Sequence, residues 1–270
     1  MNYPKILVGA PVSSHHEYCT EKFIQGLLSL DYPNYDILLI DNSDNDEFYN
    51  KFKDKIPMVR DGYNLTGIKK RMVYCRNMLR TKALLEGYEY FFNVDQDVIP
   101  PKDTLKRFLS DKKMVLTGIY YNYFTINGKE RKLPLLYGWF SEIQQKEIMS
   151  NLKNIEKKQP SFYNTLKKNN FNFNNIRRHL SAEEVEEDKL IEIKMCGSGC
   201  LFIHREVLEK IEFRENTMGG FDDVIFCMDV REKLKMKIWC DTYVKCDHKV
   251  NERPWNWATD GKENYILKKS

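Results

Sequence analysis

The chain has no run of 18 apolar residues, and it does not open with a basic stretch followed by an apolar core. Neither a transmembrane helix nor a secretory signal is therefore predicted, and the cytoplasm is the expected location. A G-x-G-x-x-G pattern is missing after the first predicted strand, and a GxxxxGK[ST] pattern is missing throughout. These two absences argue against a dinucleotide-dependent oxidoreductase and a P-loop enzyme.

Cysteine pairs with the spacing of common metal sites are also missing. No CxxC pair occurs, and the seven cysteines are odd in number. Because a chain of this size does not need disulfides for stability, we expect free thiols. The closest pair, Cys196 and Cys200, could still form half of a zinc site with Cys240, Cys246 or His248.

The charge of the chain is nearly balanced. Its 43 Lys and Arg and 39 Asp and Glu give a net charge of +4, and the pI is near 8.5. The mildly basic surface that results favours anionic ligands only weakly. The 270 residues suffice for one large domain with a sizeable core.

Strand and helix patterns alternate through the first half of the chain. Apolar runs predict strands at residues 5–10, 36–40, 56–60 and 90–94, and helical spacing predicts helices at residues 17–30 and 68–86. This alternation is typical of parallel strands joined by crossover helices, which predicts an α/β sheet covered on both faces. Ligands of such sheets bind at the carboxyl ends of the strands.

The organisation changes in the second half. A strand is predicted at residues 114–119, and Asn127-Gly128 indicates a hairpin turn. Residues 141–188 are rich in Lys, Asn and Glu, have helical character and offer few apolar anchors. We interpret them as an insertion that is either a lid or acceptor platform, or a solvated surface excursion. Strands follow at residues 189–196, 200–204, 237–240 and 243–246, with helices from 205 and after 222.

Two aspartates end the strand predicted at residues 90–94. Asp95 and Asp97 are separated by one residue, and at a strand end such carboxylates can diverge around one polyanionic ligand. One can hold a divalent cation while the other binds a sugar hydroxyl. Downstream, the pair Asp222-Asp223 and the terminal His248 supply a possible base and a further metal ligand. The alternative for the pair is capping of the helix that follows.

Five segments together resemble the GT-A-fold glycosyltransferases, in particular those of the family 2 type. They cover most of the chain outside the insertion, and they read, in order, ILVGAPVSS, LLSLDYPNYDILLIDNSD, RNMLRTKALLEGYEYFFNVDQDVIPP, GSGCLFIHREVLEKI and GGFDDVIFCMDVREKLKMKIWCDTYVKCDH. The resemblance implies a mixed, mostly parallel Rossmann-like sheet in a single catalytic domain. Within residues 1–270, a donor half would cover 1–113 and an acceptor half 114–270.

The same resemblance implies a donor site for a nucleoside-diphosphate sugar, with UDP or GDP as the usual nucleotide. Pro11 and Val12 would contact the nucleobase through their backbone, with Asp41 at its edge. Arg76 would lie near the donor phosphates, and Asp95 would contact the ribose or the metal. The segment DNSDND replaces the DDGS-like segment usual in the family, so the motif around Asp41 is a departure.

For the chemistry, the resemblance implies inverting transfer with a divalent cation, Mn²⁺ or Mg²⁺. Asp97 would bind the metal together with Asp95, and His248 would complete the coordination. Asp223 aligns with the catalytic base, and Asp222 is its neighbour. The imidazole among oxygen ligands favours manganese.

The acceptor is not specified by the motifs. A polyanion such as DNA carrying a modified base, a glycan, a lipid-linked sugar, a protein side chain or a small molecule all remain open. Two other functions on a related fold also remain open, a nucleotidyltransferase and a non-catalytic module that binds nucleotides or sugars.

Overall fold

The computed structural model describes residues 3–126, 128–217 and 220–251. Its helices are α1 (Glu17–Leu28), α2 (Glu47–Phe52), α3 (Ile68–Leu85), α4 (Thr104–Asp111), α5 (Glu142–Ser150), α6 (Leu152–Lys158), α7 (Pro160–Lys168), α8 (Arg205–Lys210) and α9 (Asp222–Glu232). Its strands are β1 (Ile6–Val12), β2 (Tyr35–Asp41), β3 (Met58–Arg60), β4 (Tyr90–Val94), β5 (Val98–Ile99), β6 (Val115–Ile119), β7 (Tyr121–Ile126), β8 (Lys129–Pro134), β9 (Leu136–Gly138), β10 (Arg178–His179), β11 (Leu190–Ile193), β12 (Met195–Cys196), β13 (Cys200–His204), β14 (Ile238–Lys245) and β15 (Asp247–His248).

An eight-stranded sheet forms the centre, in the order β11-β14-β6-β13-β4-β1-β2-β3. The neighbours β4, β1, β2 and β3 are parallel, and so are β6 and β14. Strand β13 runs antiparallel between β4 and β6, and β11 is an antiparallel edge strand. The predicted class, a mixed and mostly parallel α/β sheet flanked by helices, is confirmed.

The sequence of the central strand shows why it lies in the middle. All seven residues of β1 are buried, because both faces of a central parallel strand are covered by helices. Two large apolar clusters, one around Leu79 and Phe91 and the other around Phe23 and Phe92, form the core of the described residues. The helices and the sheet thus leave open the edge at which the parallel strands end.

Most predicted elements are confirmed, with shifted ends. The first helix ends at Leu28 instead of residue 30, and the first strand continues through Pro11 to Val12. The two short strands predicted at 237–240 and 243–246 are one strand, β14. The predicted hairpin is formed by β7 and β8; Asn127 itself lies outside the described residues.

Residues 141–188 form a helical segment with a core of its own, contrary to the expectation of few apolar anchors. Ile155, Leu166, Phe173 and Ile176 are buried together there. The segment is also fastened to the sheet, because the buried Lys194 ammonium donates hydrogen bonds to the carbonyl oxygens of residues 174 and 176, both at 2.7 Å. We call residues 141–188 the helical insertion.

Within the described part of the chain, every helix is too short or too polar to cross a membrane.

Candidate active site

A cavity of about 490 Å³ lies at the carboxyl ends of β1, β4 and β6. The structure brings most of the predicted site residues to its wall: Pro11, Val12, Arg76, Asp95, Asp97, Asp223 and His248. Asp41 and Asp222 are not among the lining residues. The cavity is the place where carboxyl ends of parallel strands are expected to gather ligand-binding groups.

The loop between Asp95 and Asp97 is tied to the loop after β1. The intervening Gln96 is buried, and its side-chain oxygen accepts a hydrogen bond from the Ser13 amide at 2.8 Å. The amide nitrogen of Gln96 donates to the Thr20 hydroxyl at 2.7 Å. Gln96 is a positioning residue that the sequence motifs did not single out, since its role depends on a contact 83 positions away in the chain.

Asp97 and His248 meet through a short strand pair. Strand β5 pairs with β15 so that His248 lies opposite Val98, and the His248 Nε2 atom is 3.2 Å from the Asp97 Oδ2 atom. The Nδ1 atom is 2.6 Å from the Tyr121 carbonyl oxygen, which can only accept. Because Nδ1 therefore carries a proton, Nε2 is the nitrogen directed toward Asp97 and the cavity.

Asp97 and His248 each stabilise the charged form of the other. Burial favours the neutral form of Asp97, but the hydrogen bond and positive charge of His248, with His16, outweigh burial and lower the pKa of Asp97. Burial likewise opposes the charged form of His248, but its contacts with Asp97 raise its pKa overall. His16 follows the carboxyl end of β1, and its Nε2 atom is 3.6 Å from the same Asp97 oxygen.

A divalent cation fits the donor set of Asp97 and His248. Two ligands about 2.1 Å from a metal and at right angles to each other are about 3 Å apart, close to the separation of these two atoms. No group of three or more His, Cys, Asp or Glu side chains among the described residues forms a metal site, so the remaining ligands would come from a bound anion. All seven cysteines are free and buried, and the zinc hypothesis finds no support in them.

Arg76 is a buried bridge between two carboxylates. It lies on α3 with 2% of its side chain exposed, and its guanidinium contacts Asp222 at 2.5 Å and Asp95 at 2.9 Å. Burial disfavours the charged guanidinium, but the negative charges of Asp222 and Asp95 raise its pKa overall. Arg76 was expected near the donor phosphates. In the structure it lines the cavity, and its Nη1 and Nη2 atoms contact protein carboxylates, so direct contact with the donor stays a prediction.

The two aspartates that begin α9 have different surroundings. Asp222 is buried against Arg76, whereas Asp223 lines the cavity. The N-cap position is Phe221, which makes no side-chain capping bond, and the Asp223 carboxylate accepts a hydrogen bond from the Val224 amide of the first turn at 2.7 Å. Burial, together with the negative charge of Asp222, raises the pKa of Asp223 to about 6. Such a carboxylate accepts a proton more readily than an exposed one.

At the far end of the cavity, Asp41 itself is buried behind the wall. The Asp41 side chain is 0% exposed, and one of its oxygens accepts hydrogen bonds from the Ser43 amide and hydroxyl. Asn42 and Asp44 line the cavity in its place, as does Arg71, which pairs with Asp44 at 2.6 Å. Direct contact between Asp41 and a nucleobase stays a prediction, and it would require Asp41 to become exposed.

Glycines let Tyr120 approach the floor of the site. A Cβ atom at Gly197 would lie 2.2 Å from the Tyr120 hydroxyl oxygen, and one at Gly199 would lie 2.7 Å from the Tyr120 ring. The Gly199 amide donates a hydrogen bond to that hydroxyl at 2.9 Å. The motif Gly-Ser-Gly is therefore explained by close packing, and it leaves Ser198 in the cavity wall.

No family sequence model and no curated protein sequence matches the chain. Solved structures do match its fold. GalNAc-T7, solved with UDP, GalNAc and Mn²⁺, has a TM-score of 0.55 at 12% identity, over 92% of this chain and 44% of its own. The mannosyltransferase PcManGT from Pyrobaculum calidifontis, in complex with GDP-Man and Mn²⁺, has a TM-score of 0.52 at 14% identity, over 94% and 59%.

TarS from S. aureus has a TM-score of 0.50 at 15% identity, over 93% of this chain and 36% of its own. The chain thus spans less than two thirds of the length of each of these three proteins. TM-scores of 0.50 to 0.55 over more than nine tenths of this chain, at such low identity, are evidence of fold. The chain has the GT-A fold of these glycosyltransferases.

Proposed function

We propose that the protein is a metal-dependent glycosyltransferase that moves a sugar from a nucleoside-diphosphate sugar to an acceptor hydroxyl, with Asp223 as the base. One observation carries the proposal: the Asp97-His248 pair and Asp223, whose pKa is raised, line the same cavity. Structures of the same fold bind UDP with GalNAc, or GDP-Man, in each case with Mn²⁺. The family 2 assignment rests on the sequence motifs alone.

The donor would lie along the wall formed by the loops after β1, β2 and β4. Pro11 and Val12 lie at one end of this wall, next to Asn42 and Arg71. Arg71 has 20% of its side chain exposed, and its positive charge suits a diphosphate better than the enclosed Arg76 does. We propose that residues 1–113 bind the donor and that residues 114–270, with the helical insertion, bind the acceptor.

Asp97 and His248 would hold Mn²⁺ or Mg²⁺, with Asp95 beside them. Asp95 is bound to Arg76 through one oxygen, and burial raises its pKa despite that contact. Asp95 is therefore better suited to a ribose hydroxyl or to an outer position than to direct coordination. When bound, the cation neutralises the negative charge that grows on the departing diphosphate.

The transfer itself requires one displacement. The acceptor oxygen forms a bond to the anomeric carbon while the bond from that carbon to the diphosphate oxygen breaks. The acceptor proton moves to the Asp223 carboxylate, and the nucleoside diphosphate leaves with the electron pair. Because Asp223 acts as a base and not as a nucleophile, a single displacement inverts the anomeric configuration.

Donor binding is expected to depend on both the cation and Asp97. A nucleotide at ~100 times its dissociation constant stabilises the protein by about 2.7 kcal/mol, which corresponds to a rise of several degrees in Tm. We expect UDP or GDP to produce this rise with Mn²⁺ in the wild type and in Asp54→Asn, an exposed control. Asp97→Asn should show no rise.

Thermal denaturation with UDP, GDP, ADP and CDP, with and without Mn²⁺, measures this directly. A nucleotide that stabilises Asp97→Asn as much as the wild type would contradict the proposed role of Asp97. Stabilisation by a donor without any transfer to a broad set of acceptors would favour the non-catalytic binding module.

The pH dependence is expected to reflect Asp223. Its pKa of about 6 lies above the ordinary value of 3.8, so the basic form needed for transfer is lost as the pH falls through 6. We expect kcat/KM to fall about tenfold per pH unit below pH 6 and to level off above about pH 7.

Asp222→Asn removes a neighbouring negative charge that raises the pKa of Asp223. The fall of kcat/KM at acidic pH should therefore begin at a lower pH in this variant. Rates of nucleoside-diphosphate release, measured from pH 5 to 8 at saturating Mn²⁺, give the dependence of kcat/KM on pH. A rate that stays constant between pH 5 and 7 would argue against Asp223 as the base.

A further inference from the structure

The helical insertion has eight basic and eight acidic residues, and its positive charge is concentrated in residues 152–178. Residues 152–178 contain seven Lys and Arg but one acidic residue, Glu156, so their net charge exceeds the +4 of the whole chain. The lysines lie at the ends of two short helices, Lys157 and Lys158 on α6 and Lys167 and Lys168 on α7. Helix dipoles favour cations at these positions, but the charges still face solvent.

Of these seven cations, Arg178 is paired with Glu184, but the five lysines are not neutralised by described residues. Lys153, Lys157, Lys158, Lys167 and Lys168 are exposed, and none of them forms an ion pair with a described residue.

The acidic residues at the end of the helical insertion are bound elsewhere. Glu184 pairs with Arg178 at 2.6 Å and Asp188 with Lys245 at 2.8 Å, while Glu187 is 3.3 Å from Lys189. The lysines of α6 and α7 therefore keep their full charge for a partner outside the chain.

The charge continues from the helical insertion toward strand β9. The Arg177 guanidinium is exposed and lies 5.0 Å from the centre of the Tyr137 ring. Burial raises the pKa of Tyr137, Arg177 lowers it, and the negative charge of Asp223 adds to the rise. Tyr137 follows two residues after Leu135, which lines the cavity, so the positive surface reaches the neighbourhood of the cavity wall at β9.

An exposed aromatic ring lies close in sequence to the Asp223 carboxylate. Phe221 immediately precedes the Asp222-Asp223 pair, is 46% exposed and lines the cavity. The Lys69 ammonium is 6.0 Å from its ring centre. An exposed phenyl ring next to cations can stack on a nucleobase and hold the neighbouring phosphate.

We propose that the acceptor is a single-stranded nucleic acid, with its phosphates along the lysines of α6 and α7 and Arg177 and with the target nucleotide stacked on Phe221 beside Asp223. A single-stranded nucleic acid carries phosphates for the cations and flat bases for the ring. A polyol-phosphate chain would use the cations but not the ring. The inference rests on the proposed function, because it names the acceptor of the same site.

Binding of a fluorescein-labelled 20-nucleotide oligothymidylate, followed by anisotropy between 50 and 200 mM NaCl, tests the inference. Each lysine-phosphate contact contributes about 0.7 to the salt slope for single strands. The triple variant Lys158→Gln/Lys167→Gln/Lys168→Gln should therefore lower the slope by about two and weaken binding about 100-fold at 0.1 M salt. Phe221→Leu should weaken it about tenfold.

The matched control is Lys112→Gln/Lys210→Gln/Lys235→Gln, which removes the same charge from exposed lysines. Lys112 precedes β6 and Lys235 precedes β14, while Lys210 follows the antiparallel β13, so all three lie at the opposite edge of the sheet from the cavity. This control should change the affinity less than threefold. Melting curves verify that both triple variants are folded.

Equal losses in the two triple variants, or no oligonucleotide binding by the wild type, would overturn the inference. So would binding to phosphatidylserine vesicles or to polyglycerol phosphate that depends on the insertion lysines while the oligonucleotide does not bind. An unchanged affinity in Phe221→Leu would remove the stacking arrangement. The proposed function is tested separately, because Mn²⁺-dependent UDP or GDP binding should be the same in the insertion triple variant and the wild type.

Discussion

Replacing Asp223 with Asn is expected to reduce kcat for sugar transfer by about 10²- to 10⁴-fold while donor binding stays intact. A general base contributes a factor of this size, and the amide cannot accept the acceptor proton. The fold should not suffer. Because burial raises the pKa of Asp223 to about 6, keeping this carboxylate ionised at neutral pH costs more free energy in the folded state than in the unfolded state.

The raised pKa of Asp223 makes the stability of the protein depend on pH in one direction. A carboxylate whose folded pKa exceeds its unfolded value contributes stability below the unfolded pKa, and this contribution is lost as the pH rises through 6. At pH 7 to 8, Asp223→Asn should therefore be no less stable than the wild type. Its free energy of unfolding should be higher by about 1 to 3 kcal/mol at most. Diphosphate release and Tm, measured together, test both statements.

Asp222→Asn is the natural comparison, since it makes the same chemical change one residue away. Asp222 is buried and bound to Arg76, so its loss should lower stability while leaving the base in place. If Asp223→Asn kept more than a tenth of the wild-type kcat, or if Asp222→Asn alone abolished transfer in a folded protein, the assignment of the base would have to change.

Replacing Arg76 with Met is expected to cost about 3 to 5 kcal/mol of folding free energy, or roughly 10 °C in Tm. Arg76 is the cation between Asp222 and Asp95, and its removal leaves the buried Asp222 and the partly exposed Asp95 without their partner. Proton uptake relieves part of this cost, so the loss should be larger at pH 8 than at pH 5.

A double variant separates the buried pair from simple loss of packing. In Arg76→Met/Asp222→Asn the unpaired charge at residue 222 is gone, so the double variant should be more stable than the sum of the two single changes predicts. A coupling energy near zero by urea denaturation would show that the Arg76-Asp222 contact contributes little. Arg76→Lys should be intermediate, because an ammonium cannot reproduce the planar two-sided contact.

Sequence patterns predicted the fold because strand runs, helix spacing and their alternation are local properties. They also placed Pro11, Asp95 and Asp97 correctly at carboxyl ends, since that position follows from the end of each apolar run. They could not assign Asp222 and Asp223 from geometry. Successive helix residues differ by about 100° in direction, and the packing of α9 decides which one faces the cavity.

The expectations for Asp41 and Arg76 illustrate a second limit. Both residues occur at plausible positions for donor contacts, but the structure buries Asp41 against Ser43 and encloses Arg76 between carboxylates. Burial of a charged group depends on which partner is opposite it, and that partner is distant in the chain. For Arg76 and Asp222 the separation is 146 residues. The core of the helical insertion was missed because its anchors are sparse in sequence and assembled by three short helices.

The pairing of β5 with β15 has a consequence for the order in which the protein is made. Asp97 and His248 are 151 positions apart, and a chain synthesised from its N-terminus contains the first of them long before the second. Contacts of such long range form late, because the loop between them must close first. A nascent or truncated chain that ends before β15 therefore lacks one of the two ligands proposed for the cation. If this pair binds Mn²⁺ as proposed, metal affinity reports on completed folding.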